Sequence, residues 1–191
     1  MNSNPSFIGS WIMENPQICD EIIDYFEINK TKQVKGVSLA GNDPKVKDST
    51  DITIRPKELL LGKNYIFNDY FQYLFECQKD YLKQWPFISD LNFKYEIGSF
   101  NLQRYKPGQH FRKIHTERCS IDSLHRVFAF MTYLNNVEEG GSTFFSHYDL
   151  EIKPKKGVTL IWPAEWTHAH RGNELKSGIK YIITGWINFA V

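Results

Sequence analysis

Cysteine is scarce and unpatterned: the 191-residue chain has three, Cys19, Cys77 and Cys119, far apart and without a C-x-x-C pair. An odd, scattered set speaks against a disulfide framework or a zinc knuckle, and reduced thiols are the expectation. Excess charge of one sign is also missing. Lys and Arg total 23 against 22 Asp and Glu, a net charge of +1, and no like-charge block is long enough to attract phosphate backbones or anionic lipid. Neither a nucleic-acid partner nor a membrane-surface role is expected. No apolar run approaches the roughly 18 residues that span a bilayer, and Met1 to Asn15 lacks a basic leader followed by an apolar stretch. A soluble, cytoplasmic protein is the expectation. Fixed-period repeats and low-complexity tracts are absent as well.

What is present suits one globular domain, 1–191, with a proper core. The chain is 41% hydrophobic and 24% charged, so it can bury a core but is too short for two large domains. Aromatic residues make up 15%, enough to furnish bulky packing in a β-rich interior.

The first part, 1–96, reads as helical support around an irregular middle. Asn15-Pro16 is a helix start, followed by Ile18, Ile22, Tyr25 and Phe26 on one face. A second helix is predicted from about Asn64 to Trp85. There Ile66, Tyr70, Leu74, Cys77, Tyr81 and Trp85 follow three-to-four spacing until Pro86 stops the run. Between the helices, Gln33 to Lys63 is rich in Lys, Asp, Gly and Pro, with one short β-like piece, Asp51 to Arg55. An exposed, partly mobile loop that covers a site is expected there.

From Ile97 onward, short runs of Val, Ile, Thr and aromatics alternate with turn signals, the pattern of an antiparallel barrel or sandwich. Strands are predicted near 97–105, 109–117, 126–134, 142–145, 149–153, 157–162, 166–171 and 179–189. Gly140-Gly141 and Pro154-Lys155-Lys156-Gly157 read as turns.

Within this β-rich part, His115 and Glu117 stand two apart in a segment read as extended, so both side chains project from one face. Trp166-Thr167-His168-Ala169-His170-Arg171-Gly172 supplies further imidazoles, and a barrel can bring the ends of its second and seventh strands together. Two His and one carboxylate form the facial triad of non-haem Fe(II) sites, which leaves positions open for a bidentate co-substrate and dioxygen. Lys180, ten residues after His170, is the lone charge in Ile179-Lys180-Tyr181-Ile182-Ile183-Thr184. A desolvated lysine needs a partner, and the far carboxylate of a dicarboxylic 2-oxo acid would supply one.

These residues carry a family resemblance. Tyr105-Lys106-Pro107-Gly108, His115-Thr116-Glu117, Tyr133-Leu134-Asn135, Gly140-Gly141-Ser142-Thr143-Phe144-Phe145, Pro154-Lys155-Lys156-Gly157, His170-Arg171-Gly172 and Lys180 follow one another in order. The run resembles the catalytic half of Fe(II)/2-oxoglutarate-dependent dioxygenases, in their prolyl 4-hydroxylase-like branch. The resemblance implies an α+β, mainly β fold: a double-stranded β-helix (jelly roll) at 97–191 with N-terminal supporting helices. It implies that His115, Glu117 and His170 are the catalytic metal ligands for Fe(II). Lys180 then binds the 2-oxoglutarate C5 carboxylate, with Tyr105 and Thr143 as further co-substrate contacts.

The reaction so implied consumes O2 and 2-oxoglutarate, releases succinate and CO2 and hydroxylates a C–H bond, with ascorbate as the family's reductant. Peptidyl proline is the suggested acceptor; a free amino acid or another small molecule is the alternative. Two departures from the pattern stand out. The carboxylate is Glu rather than the usual Asp, and one residue more than usual separates Gly108 from His115.

Competing readings attach to the same residues. His168 shares the expected strand face with His170, and the offset to Lys180 favours His170 as ligand, leaving His168 a supporting or pocket residue. A cupin-like metal or sugar-binding barrel would use His168, His170 and Glu174 instead, although its flanking glycines and second histidine motif are missing. A non-catalytic barrel that keeps the fold is the remaining alternative.

Overall fold

The computed structural model describes residues 5–38, 41–60 and 65–190. The first part runs β1 (Gly9–Ile12), α1 (Gln17–Ile28), β2 (Val34–Lys35), β3 (Lys47–Asp48), β4 (Thr50–Ile54), α2 (Tyr65–Gln84) and the short α3 (Pro86–Asp90). The second part is almost all strand: β5 (Tyr95–Tyr105), β6 (His110–His115), β7 (Arg126–Tyr133), β8 (Thr143–Phe145), β9 (Leu150–Ile152), β10 (Val158–Pro163), β11 (His170–Gly172) and β12 (Lys180–Phe189). They form a seven-stranded sheet in the order β1-β10-β7-β12-β5-β4-β2 and a five-stranded sheet in the order β3-β6-β11-β8-β9. The strand pairings are antiparallel, as in a double-stranded β-helix.

Helical periodicity and strand alternation build two apolar layers. Ile22 and Phe26 of α1 and Phe67, Tyr70, Leu74 and Tyr81 of α2 are buried against the outer face of the larger sheet, where they meet Phe100, Phe128, Phe130, Ile161 and Ile183. The other face of the same strands carries Met131, Tyr133, Leu160, Trp162 and Ile182, which pack with Phe145 of the smaller sheet. Strand β7 is buried on both faces, which is why its sequence is nearly continuous in apolar residues. Just before α1, the Asn15 side-chain oxygen accepts from the Gln17 amide at 3.3 Å, and Pro16 rather than Asn15 occupies the N-cap position.

The Gly140-Gly141 turn requires its glycines. Both have positive φ, 77° and 69°, which L side chains adopt only with strain. A Cβ on Gly140 would also stand 2.4 Å from the Glu174 carbonyl oxygen.

The structure corrects three expectations. Gln33 to Lys63, read as an exposed loop with one short β-like piece at Asp51 to Arg55, holds three strands; the β-like piece is β4, and its Ile52 and Ile54 are fully buried. Tertiary pairing overrides composition here: β4 zips onto β5 over Thr50↔Arg104 through Ile54↔Phe100. Residues 39–40 and 61–63 of that stretch lie outside the described residues. The segment 166–171 is not one strand, because Trp166–His168 forms a 3-10 turn before β11 begins at His170. The strand expected over 109–117 ends at His115, so Glu117 lies just beyond it. The supporting part also contributes β1, an edge strand on β10 that hydrophobic spacing did not reveal.

Candidate functional site

Register across the smaller sheet makes the site. His115 ends β6 directly opposite His170, which opens β11, and His170 is in turn opposite Phe145. The two imidazoles lie 4.4 Å apart between ring centroids. Both rings are oriented by main-chain carbonyls: His115 Nδ1 lies 2.8 Å from the Lys113 oxygen and His170 Nδ1 2.9 Å from the His168 oxygen. An imidazole that gives its Nδ1 proton to a carbonyl keeps Nε2 as a lone-pair donor, the arrangement of metal-ligating histidines. Phe111 stacks on His115 at 3.8 Å with the planes 14° apart.

Glu117 completes the group. Its Oε1 lies 3.3 Å from His170 Nε2 and 3.8 Å from His115 Nε2. Among the described residues these three form the one cluster of possible metal ligands, with donor atoms all within 4.8 Å of one another. Two imidazoles and a carboxylate at that spacing suit a divalent first-row metal such as Fe(II). The electrostatics agree. Burial and then the neighbouring His170 push His115 down to about 4. Burial alone would raise the Glu117 carboxyl, but its interactions with the His170 and His115 imidazoles and with the Trp186 indole outweigh it and hold it at about 2. His115 is thus neutral and Glu117 ionised at neutral pH, the states in which these groups ligate a metal.

The cluster opens into a cavity of about 500 Å³ between the sheets. Lys180 lies on its wall, opposite Tyr105 in the β12–β5 register. The lysine is 3% exposed, its Nζ donates to the Gly141 carbonyl at 2.8 Å, and it stands 4.3 Å over the Tyr105 ring. Burial pulls its ammonium down to about 7. Among the described residues no carboxylate pairs with it, so the cavity holds a buried cationic site that an anion would satisfy. Tyr105 and Thr143 also line the cavity. The Tyr105 hydroxyl donates to Gln103 Oε1 at 2.7 Å, and Thr143 Oγ1 accepts from Tyr133 at the same distance.

The rival residues are engaged elsewhere. His168 sits in the 3-10 turn with Nε2 2.8 Å from the Ser6 carbonyl, so it does not share a strand face with His170. Glu174 pairs with Lys176 at 2.8 Å and with Arg112 at 3.7 Å.

Trp186 and the full role of Arg126 are legible only in three dimensions. The Trp186 indole donates to Glu117 Oε2 at 2.7 Å. Arg126 donates to the Glu117 main-chain carbonyl at 2.8 Å and lays its guanidinium carbon 3.6 Å over the Trp186 ring. The sole sequence signal is the even spacing Lys180, Ile182, Thr184, Trp186, which puts all four on the cavity face of β12.

Comparison with known proteins places this geometry. Residues 100–188 match the family model described as the 2OG-Fe(II) oxygenase superfamily. The chain is 30% identical over 115 residues to a probable prolyl 4-hydroxylase 9 of Arabidopsis thaliana, covering 47% of this chain and 40% of that one. It therefore spans less than half the length of this curated relative. Among solved structures, a viral collagen prolyl hydroxylase of Paramecium Bursaria Chlorella virus-1, in a 2OG complex, superposes with a TM-score of 0.68 at 20% identity, over 97% of each chain. A prolyl hydroxylase of Trichoplax adhaerens, in complex with a hypoxia inducible factor oxygen degradation domain peptide fragment, gives 0.69 at 14% identity over 95% of this chain and 84% of that one. At such identities the superpositions carry the fold, the double-stranded β-helix. The family match runs from β5 to β12, across His115, His170 and Lys180, so this part of the chain is similar to the 2OG-Fe(II) oxygenase superfamily.

Proposed function

We propose that the protein is an Fe(II)- and 2-oxoglutarate-dependent hydroxylase in which His115, Glu117 and His170 hold the metal and Lys180 receives the C5 carboxylate of 2-oxoglutarate. One observation carries the reading: a His-Glu-His donor group and a buried ammonium without a carboxylate partner, among the described residues, face the same cavity. Bound Fe(II) would let O2 couple decarboxylation of 2-oxoglutarate, to succinate and CO2, with insertion of one oxygen atom into a C–H bond.

The chain's own residues supply position and charge. The carbonyls of Lys113 and His168 hold the imidazoles with Nε2 inward. Lys180 offsets one carboxylate charge at the closed end, where Tyr105 and Thr143 would border the same co-substrate. Met131, Trp162 and Ile182 give the wall an apolar surface that limits water around the reacting groups.

The acceptor we propose is a proline-containing peptide. The prolyl 4-hydroxylase relative and the peptide-bound neighbour support this reading. A free amino acid is the competing acceptor. The free cysteines Cys19, Cys77 and Cys119 support placing the chain in a reducing compartment, the cytoplasm. No helix among the described residues is long and apolar enough to cross a membrane.

Anaerobic titration with Fe(II) and then 2-oxoglutarate, followed by the weak visible charge-transfer band, tests the core of the proposal. The band is expected in the wild type and absent in His115→Ala, Glu117→Ala and His170→Ala. Lys180→Ala should need far more 2-oxoglutarate. A folded, iron-loaded wild type without a band would overturn the assignment. Succinate release with proline-rich peptides, compared with free proline, then separates the two acceptor classes.

A further inference from the structure

Glu117 has one more rotatable bond than the Asp usual at this place, and it lies beyond the end of β6, where no ladder restrains its backbone. A long carboxylate side chain gives up rotamer freedom when fixed, so a free Glu would sample orientations in which neither or both oxygens face the imidazoles. In the structure it is gripped at both ends. Trp186 Nε1 donates to Oε2 at 2.7 Å, and Arg126 donates to the main-chain oxygen at 2.8 Å. The guanidinium carbon lies 3.6 Å over the indole ring, so the two gripping side chains brace each other. The remaining oxygen, Oε1, is the one at 3.3 and 3.8 Å from the two histidine nitrogens.

We propose that Trp186, braced by Arg126, is a positioning residue for the metal carboxylate: its indole N–H engages Oε2 so that Glu117 offers a single oxygen to the metal. The inference rests on the metal reading above and goes beyond it, since it assigns to this chain a device matched to its longer carboxylate. An indole suits the task because it donates one hydrogen bond without being able to protonate the carboxylate or bind the metal itself. Its place follows from β12, which pairs Trp186 with Ala129 of β7 and keeps it on the cavity face. Arg126 opens that same β7 strand, opposite Asn188 and two residues along β12 from Trp186.

The test is Co(II) titration of the metal-free protein, reading affinity and the ligand-field absorption spectrum, in the wild type, Trp186→Phe, Glu117→Asp and the double variant. Trp186→Phe keeps the ring under Arg126 and removes only the donor. It is expected to weaken Co(II) binding about 10–100-fold and alter the spectrum, with little change in the melting temperature of the metal-free protein. With Glu117→Asp, whose shorter chain cannot span both the metal and the indole, Trp186→Phe should have little further effect. Unchanged Co(II) affinity and spectrum, or equal losses in both backgrounds, would overturn the inference. Should Trp186→Phe fail to fold, Arg126→Met removes the brace instead, and an affinity and spectrum equal to the wild type would overturn it. Failure of the metal reading looks different: the wild type would take up no Co(II), or His115→Ala would bind it equally well.

Discussion

Replacing Lys180 with Met removes a buried charge that has no carboxylate partner among the described residues. In the co-substrate-free protein the ammonium is 3% exposed, and burial takes its pKa from 10.5 to about 7. At about 1.4 kcal/mol for each tenfold change in proton affinity, keeping it charged below pH 7 costs at most about 5 kcal/mol. Met fills a similar volume without charge. Losing the 2.8 Å bond to Gly141 leaves that carbonyl without its partner, which costs about 1–3 kcal/mol. The net expectation is stabilisation of the metal-free protein by about 3 kcal/mol at pH 6.5. For a chain of this size that is a rise in Tm of about 6–12 °C.

The pH dependence has a definite sign. Between about 7 and 10.5 the unfolded chain holds a proton on this lysine that the folded chain has released, so wild-type stability rises with pH over that window. The variant lacks the group, so its advantage is largest below about pH 7 and fades towards pH 10. Denaturant unfolding at pH 6.5 and 9.5 measures both quantities, and 2-oxoglutarate binding should collapse in the same variant. A Lys180→Met protein that is less stable than wild type at pH 6.5, or whose gain does not shrink with rising pH, would refute the argument from desolvation.

Other perturbations read the scaffold. Gly185→Ala places a Cβ 2.8 Å from both Phe100 Cβ and Phe130 Cζ, so urea unfolding should show a loss of about 1–3 kcal/mol from overpacking; an unchanged midpoint contradicts the packing described. Tyr70→Phe breaks a buried chain in which the Tyr70 hydroxyl lies 2.9 Å from Thr132 and Thr132 lies 2.7 Å from Thr159. It is expected to cost about 1–2 kcal/mol, with a sub-additive effect when combined with Thr132→Val. Asp51→Ala leaves Lys47 buried without the carboxylate it meets at 2.6 Å and should destabilise by about 3–5 kcal/mol. Replacing both partners with apolar residues should recover most of that loss, and failure to recover would point to a role beyond pairing.

Much of this protein is written in local periodicity. The stripe Ile66, Tyr70, Leu74, Cys77, Tyr81 is the buried face of α2, because helical spacing is a one-dimensional consequence of backbone geometry. The strands β5 to β12 lie close to where alternation and turn residues put them, since glycines such as Gly140 and Gly141 mark backbone conformations that other residues resist. His115, Glu117 and His170 stood out through the H-x-E spacing and the ordered family resemblance, and Lys180 as the lone charge in an apolar strand.

What composition concealed was decided by pairing across the chain. In Gln33 to Lys63 the β-like piece Asp51 to Arg55 was legible, but not that it is a buried strand, because β5 supplies its hydrogen bonds and α1 and α2 cover its isoleucines. His168 parts from His170 because it closes a 3-10 turn that replaces the first half of the expected strand, and the Ser6 carbonyl engages its Nε2. The clasp of Trp186 and Arg126 on Glu117 joins residues 69 and 9 positions away from that carboxylate. A hydrogen bond between distant segments depends on register in three dimensions, which no local pattern encodes, so spacing named the donors while the sheet pairing decided which atoms face one another.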